Sequence, residues 1–282
     1  MSVINAKLEE CSNLNGLERM TMLQKLIKEN PDAVVNSEEY RRLVEEIIKD
    51  PSISSSIKLS FGEEINRWGD PRLLTADSDE YWVDFSNLDI QVAKFLVTIK
   101  EWKAFLEDGY DTADNWSEEG LRWKEEERPS WNDLANEESA EKYLFDNQPV
   151  VGVCWFEAEA FATAHNARLM DFYERESIVR GDERRPYPWG SPFGYGNANT
   201  EEEGLKKPAA VGLYHRDITP EGIADLAGNV AEWTMDVVEN KIVIHPGSWN
   251  VNSLGAWAKA SSLISPAARI GDLGFRLVRD ID

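Results

Sequence analysis

Cysteine and histidine are scarce in this chain, and positive charge falls well short of negative. Its 282 residues include two cysteines, Cys11 and Cys154, and three histidines, His165, His215 and His245. Two cysteines in distant segments make neither a disulfide framework nor a Cys-x-x-Cys site, and they fit a reduced, cytoplasmic protein. The histidines match no compact metal-ligand spacing. No apolar run approaches the ~18 residues that a membrane-spanning helix needs. Met1-Ser2-Val3-Ile4-Asn5 leads into a charged amphipathic segment, so no cleaved secretory peptide is expected. With 30 Lys and Arg against 52 Asp and Glu, the formal charge is −22, and long-range repulsion excludes nucleic acid and anionic membrane as direct partners. A nucleophile elbow, a P-loop and a dinucleotide-binding glycine fingerprint are also missing, so no nucleotide is expected. Carboxylates are abundant, yet no spacing singles out a glycosidase pair.

What is present is unevenly distributed. Residues 101–150 carry 15 acidic and 5 basic side chains, whereas residues 241–282 carry 3 and 5. An acidic insertion at about 108–147 therefore precedes a near-neutral C-terminal part, and runs such as Glu125-Glu126-Glu127 and Glu201-Glu202-Glu203 read as solvated loops. At the other end, Leu8, Cys11, Leu14, Leu17, Met20, Leu23 and Ile27, then Tyr40, Leu43, Ile47 and Ile48, recur at three- and four-residue spacing and predict amphipathic helices. Pro31 and Pro51 punctuate them, Asn36-Ser37 suits a cap, and a further helix is expected from Ser54 to Trp68. Residues 1–69 thus read as a small helical extension, a cap or docking arm packed on the domain formed by 70–282. The phrase Arg67-Trp68-Gly69-Asp70-Pro71-Arg72 resembles the end of helical repeats that precede such domains.

The densest pattern lies near the C-terminus. Gly222-Ile223-Ala224-Asp225-Leu226-Ala227-Gly228-Asn229-Val230-Ala231-Glu232-Trp233-Thr234 contains a turn at Gly228-Asn229, two residue types that tolerate left-handed backbone. His245-Pro246-Gly247-Ser248-Trp249 and Gly274-Phe275-Arg276-Leu277-Val278 follow. Trp233, Trp249 and Phe275 each neighbour glycine or small residues, as expected where large rings pack against closely approaching backbone.

These ordered blocks resemble the formylglycine-generating-enzyme or sulfatase-modifying-factor family, whose domain is a variant of the C-type lectin fold. Upstream segments extend the resemblance over roughly 70–282: Tyr81 to Phe85, Val97 to Leu106, Pro149 to Ala158, and Pro186-Tyr187-Pro188-Trp189-Gly190 with Asn197-Ala198-Asn199. The fold implied is α+β and C-type lectin-like, with the helical extension in front.

Activity does not transfer with the fold. The family's copper oxidases use a cysteine pair, at least one member of which precedes the Gly-Phe-Arg block, and residues 248–274 contain no cysteine. Cys154 stands where the family has a serine and reads as a buried small residue. The related non-haem-iron sulfoxide synthases hold iron on three histidines of an N-terminal helical domain, and residues 1–164 contain none. Neither copper nor iron is expected. Structural calcium is implied at Asn229, the Val230 carbonyl and Glu232, with Asn199 and a downstream acid contributing to another site. The alternative is that Asn229 only satisfies its turn while Glu232 meets an N–H group or Arg276.

Residues 246–278 also resemble the variable region of diversity-generating-retroelement proteins, which bind changeable ligands there. That implies a protein-recognition surface at Val251, Ser253, Leu254, Trp257, Lys259, Ser261 and Leu263, with Trp257 as anchor. The competing reading buries Trp257 behind the Gly274-Phe275 strand. With ligand residues missing, the sequence favours a non-catalytic binding or scaffold protein with a protein partner, either a ligand-displaying variable protein or a regulatory subunit of a bacterial multiprotein system. The rival is a metal-dependent oxidase or sulfoxide-synthase-type enzyme with relocated ligands.

Overall fold

A computed structural model describes residues 3–126, 131 and 145–281. The chain forms two compact units, Met1–Leu74 and Thr75–Asp282, a division five residues beyond the 69/70 boundary read from the sequence.

The first unit is helical: α1 (Val3–Ser12), α2 (Gly16–Glu29), α3 (Pro31–Val35), α4 (Glu38–Lys49) and α5 (Ser55–Trp68). Leu8, Cys11, Leu23, Ile27, Tyr40, Leu43, Ile47 and Ile48 are buried as the periodicity predicts. Leu17 is exposed and Leu14 half-buried, because the helix breaks between Ser12 and Gly16 and the apolar phase restarts. Gly16 takes a φ of 49° there, and its N–H donates to Asp50 Oδ2 at 2.9 Å. Burial pushes the Cys11 thiol up to about 11. Asp70 and Arg72, both buried, pair at 2.6 Å near the end of the unit.

The second unit is built on two four-stranded sheets. One has β1 (Trp82–Phe85), β2 (Ile90–Ala93), β8 (Leu277–Asp280) and β3 (Arg168–Leu169) in that order. The other has β6 (Ser262–Ile264), β5 (Lys241–His245), β4 (Ala231–Val238) and β7 (Leu273–Gly274). Val92 opposite Val278 joins the start of the unit to its end. The Gly274-Phe275-Arg276-Leu277 block passes from one sheet to the other: Gly274 pairs in parallel with Glu232, and Leu277 is antiparallel to Leu169. A Cβ on Gly274 would lie 2.4 Å from the Val150 carbonyl oxygen, so the crossover needs glycine for close approach.

Helices α6 (Ile99–Asp108) and α9 (Phe172–Arg180) begin with capping boxes, Thr98 with Glu101 and Asp171 with Glu174. Between them lie α7 (Glu118–Glu125) and α8 (Trp155–Ala164). Trp102 of α6 stacks on Phe161 of α8 at 5.9 Å and meets Phe275 edge-on at 6.4 Å, which is the core role expected of Phe275. The acidic insertion is described to residue 126, at 131 and from 145; its residues 127–130 and 132–144 lie outside the described residues. Its first half is not merely a solvated loop. Trp116 stacks on Trp123 at 6.3 Å and Trp123 on Phe156 at 5.8 Å, while buried Glu157 accepts from Tyr110 Oη at 2.9 Å and Arg269 Nη2 at 2.6 Å.

Candidate functional site

The Gly228-Asn229 turn is fixed by a buried polar layer. Asp217 accepts the amide N–H groups of Leu226 at 3.1 Å, Ala227 at 2.9 Å and Gly228 at 3.0 Å. Asn229 adopts a φ of 70°, the left-handed conformation expected of it. Gly228 serves a different purpose, because a Cβ there would stand 2.5 Å from the Asn199 carbonyl oxygen. Asn229 Oδ1 accepts from Ala209 N at 2.8 Å and Asn199 Nδ2 at 3.3 Å. The oxygen Asn199 Oδ1 is buried and has no hydrogen-bond partner among the described residues.

Glu232, one strand step on, is enclosed by two guanidiniums. Arg276 Nε donates to it at 2.5 Å and Arg175 Nε at 2.9 Å. Burial would raise this carboxyl, but Arg276 and Arg175 hold it below the usual range. His245 of β5 is fully buried beside them. Gly247 N–H donates to its Nδ1 at 3.2 Å, so the ring proton sits on Nε2 and donates to the Trp257 carbonyl at 2.9 Å. Burial and Arg175 keep the imidazole neutral, well below its ordinary pKa. His245 thereby clamps both ends of the 246–258 loop to the sheet.

That loop shares a face with residues 186–204. Tyr187 Oη donates to the Ser253 carbonyl at 2.9 Å, and Ser253 N–H donates to Glu202 Oε1 at 2.8 Å. Tyr187, Trp189 and Phe193 pack on one another, Tyr187 stacked on Trp189 at 5.1 Å, over buried Ala198, Ala227 and Ala256. Ala256 and Ala258 point inward, which turns Trp257 outward at 46 % exposure and leaves Leu254 at 78 %. The account that buries Trp257 is therefore corrected. Lys259, Ser261 and Leu263 are exposed too, whereas Val251 and Ser253 are half-buried. The result is an aromatic cluster packed over small residues, beside an exposed apolar edge at Leu254 and Trp257.

Residues 77–281 match the sulfatase-modifying factor enzyme 1-like domain. The chain belongs to this family. It is 28 % identical over 228 residues to hercynine oxygenase of Mycolicibacterium thermoresistibile, covering 68 % of this chain and 51 % of that protein. Mouse formylglycine-generating enzyme is 31 % identical over 131 residues, covering 42 % of this chain and 32 % of that enzyme. PvdO from Pseudomonas aeruginosa superposes with a TM-score of 0.52 at 19 % identity, over 68 % of this chain and 80 % of that one, and supports the fold. The C-type lectin-like, formylglycine-generating-enzyme-like α+β fold is thus established. The chain spans about half the length of the hercynine oxygenases it matches.

The similarity to proteins named as oxygenases and formylglycine-generating enzymes corrects two expectations: that of a non-catalytic binding or scaffold protein, and that the chain is not an enzyme. It also conflicts with the expectation of no iron. The ligands, however, do not converge here. Among the described residues no group of three or more His, Cys, Asp or Glu could hold a metal ion. His245 has both nitrogens engaged, and His165 Nδ1 meets the Phe161 carbonyl at 2.8 Å. Cys154 is buried, and burial, then Glu157, pushes its thiol far up, which disfavours the thiolate that a soft metal requires. Calcium fares no better at Glu232, whose carboxylate faces two cations. Its pairing with Arg276 was one of the sequence alternatives. Arg175, Asp217 and the clamp at His245 escaped sequence reading, since ion pairs between residues 57 apart carry no local signature. Among the described residues no helix is long and apolar enough to cross a membrane.

Proposed function

We propose that this chain is the formylglycine-generating-enzyme-like part of an oxygen-using, metal-dependent enzyme of the hercynine oxygenase kind. In this reading the 186–204 and 246–261 segments form one wall of the substrate site, and the metal ligands come from protein other than these 282 residues. The observation that carries it is the alignment over 228 residues with an oxygenase about twice the length of the aligned segment, combined with the absence, among the described residues, of any group of three or more His, Cys, Asp or Glu that could hold a metal ion. The metal-bearing part is the protein partner, and Trp257 and Leu254 give it an apolar contact beside the substrate wall. This is the relocated-ligand alternative weighed from the sequence, with the ligands placed off the chain. The test is oxygen uptake by the assembly purified from its native host through a tag on this chain, given ferrous ion, hercynine and a thiol. Substrate-dependent uptake is expected, and its absence in an assembly retaining its partner contradicts the reading.

A further inference from the structure

Strand β6 (Ser262–Ile264) is an open edge. It ends its sheet beyond β5, and among the described residues no hydrogen bond reaches the outer side of its backbone. The opposite end of the sheet, β7, is two buried residues and offers no such edge. Edge strands are usually guarded by charge or a bulge, because unpaired N–H and C=O groups template another strand. Here the guarding charge is missing. From Ile242 to Ala268 the only charged side chain is Lys259, with His245 neutral, in a chain whose net charge is −22. Lys259 is itself paired with Glu176 at 3.4 Å. The register sets Leu263 beside Val243 on one face of the sheet, and Leu263 is 43 % exposed. Ser261, Ser262 and Ser265 are exposed as well. Pro266 ends the run, and its carbonyl accepts from the Trp155 N–H at 3.0 Å, which anchors the end of the strand.

We propose that β6 pairs with β6 of a second copy of this chain, antiparallel about Leu263, joining two four-stranded sheets into one across a twofold axis. Such a contact is self-complementary and closes on itself, so the joined sheet keeps no open edge. In this register Ser261 faces Ser265 of the second copy, Ser262 faces Ile264, and Leu263 faces its own counterpart. No like charges meet, since Lys259 comes opposite Ala267. Directly opposed side chains stand close enough to pack, so the two leucines bury apolar surface that each copy exposes alone. Charge selects the occupant. Two chains of −22 repel each other over most approaches, and the uncharged stretch around β6 is where they can meet at least cost. The pairing uses neither Leu254 nor Trp257, so it stands apart from the metal-bearing partner.

Sedimentation of the full chain over a range of concentrations tests this. A monomer–dimer equilibrium is expected, and added salt should strengthen it by screening the net charge. Leu263→Lys sets two like charges against each other at the axis and should weaken dimerisation at least about tenfold. Its Tm should stay unchanged, because the side chain is exposed. A second variant reads the geometry. Leu263→Cys should cross-link to its own counterpart on mild oxidation, since opposed Cα atoms in an antiparallel pair lie within disulfide reach, and the native Cys11 and Cys154 are buried. A chain that stays monomeric at the highest concentration and salt overturns the proposal, as does a dimer that the folded Leu263→Lys variant leaves intact. Protection of the β6 amides from hydrogen exchange only when another protein is bound would also overturn it, assigning the edge to a strand of that partner.

Discussion

Glu232 illustrates how a motif residue can be legible in kind and hidden in role. The Gly-Asn-Val-Ala-Glu-Trp order placed it in a family block, and Arg276 was a visible partner because it lies in another block. Arg175 was not visible, because nothing in the sequence of α9 shows which side chain crosses to β4. With both guanidiniums buried, Glu232→Gln removes their shared counter-charge, and such a break costs about 3–5 kcal/mol. Urea unfolding should show a loss of that size, with the same midpoint in the presence and absence of a calcium chelator. A chelator-dependent midpoint in the native protein would return Glu232 to calcium. Asn229 was read correctly as a left-handed turn residue, whereas Gly228 was credited with backbone freedom when its actual duty is to admit the Asn199 carbonyl.

At the level of elements, glycine contacts and loop clamps decide the geometry of the candidate wall. Gly228→Ala must push the 199 and 229 segments apart, an overpacking that costs about 1–3 kcal/mol; calorimetry should register it as a lower Tm. Trp257 behaves differently. It is half exposed and its loop is held through backbone by His245, so Trp257→Ala should leave the Tm within a few degrees. The same change should weaken retention of the partner at least tenfold, or about 1.4 kcal/mol, measured by titration of the isolated components. A folded variant with native affinity would move the contact off this loop. Periodicity exposed the helices of the first unit well, failing at Leu14 and Leu17 where a turn resets the phase. The aromatic half of the acidic insertion was missed, since its charge count outweighed Trp116 and Trp123, whose burial depends on Phe156 and Arg269 far along the chain.

At the scale of the whole molecule, the fold was legible because the glycine, asparagine and tryptophan blocks encode close backbone approaches that few architectures require. Function was not legible, because the sequence could show only that familiar ligands are missing, and missing ligands fit both a binding protein and one part of an enzyme. The oxygenase relatives, twice the length of the matched segment, favour the second. Metal stoichiometry tests that account most directly. Elemental analysis of the assembly isolated from the native host should find about one redox-active metal ion per copy of this chain, and the chain purified alone should retain little of it. An active assembly free of redox metal, or a metal held at full stoichiometry by this chain by itself, would contradict the account.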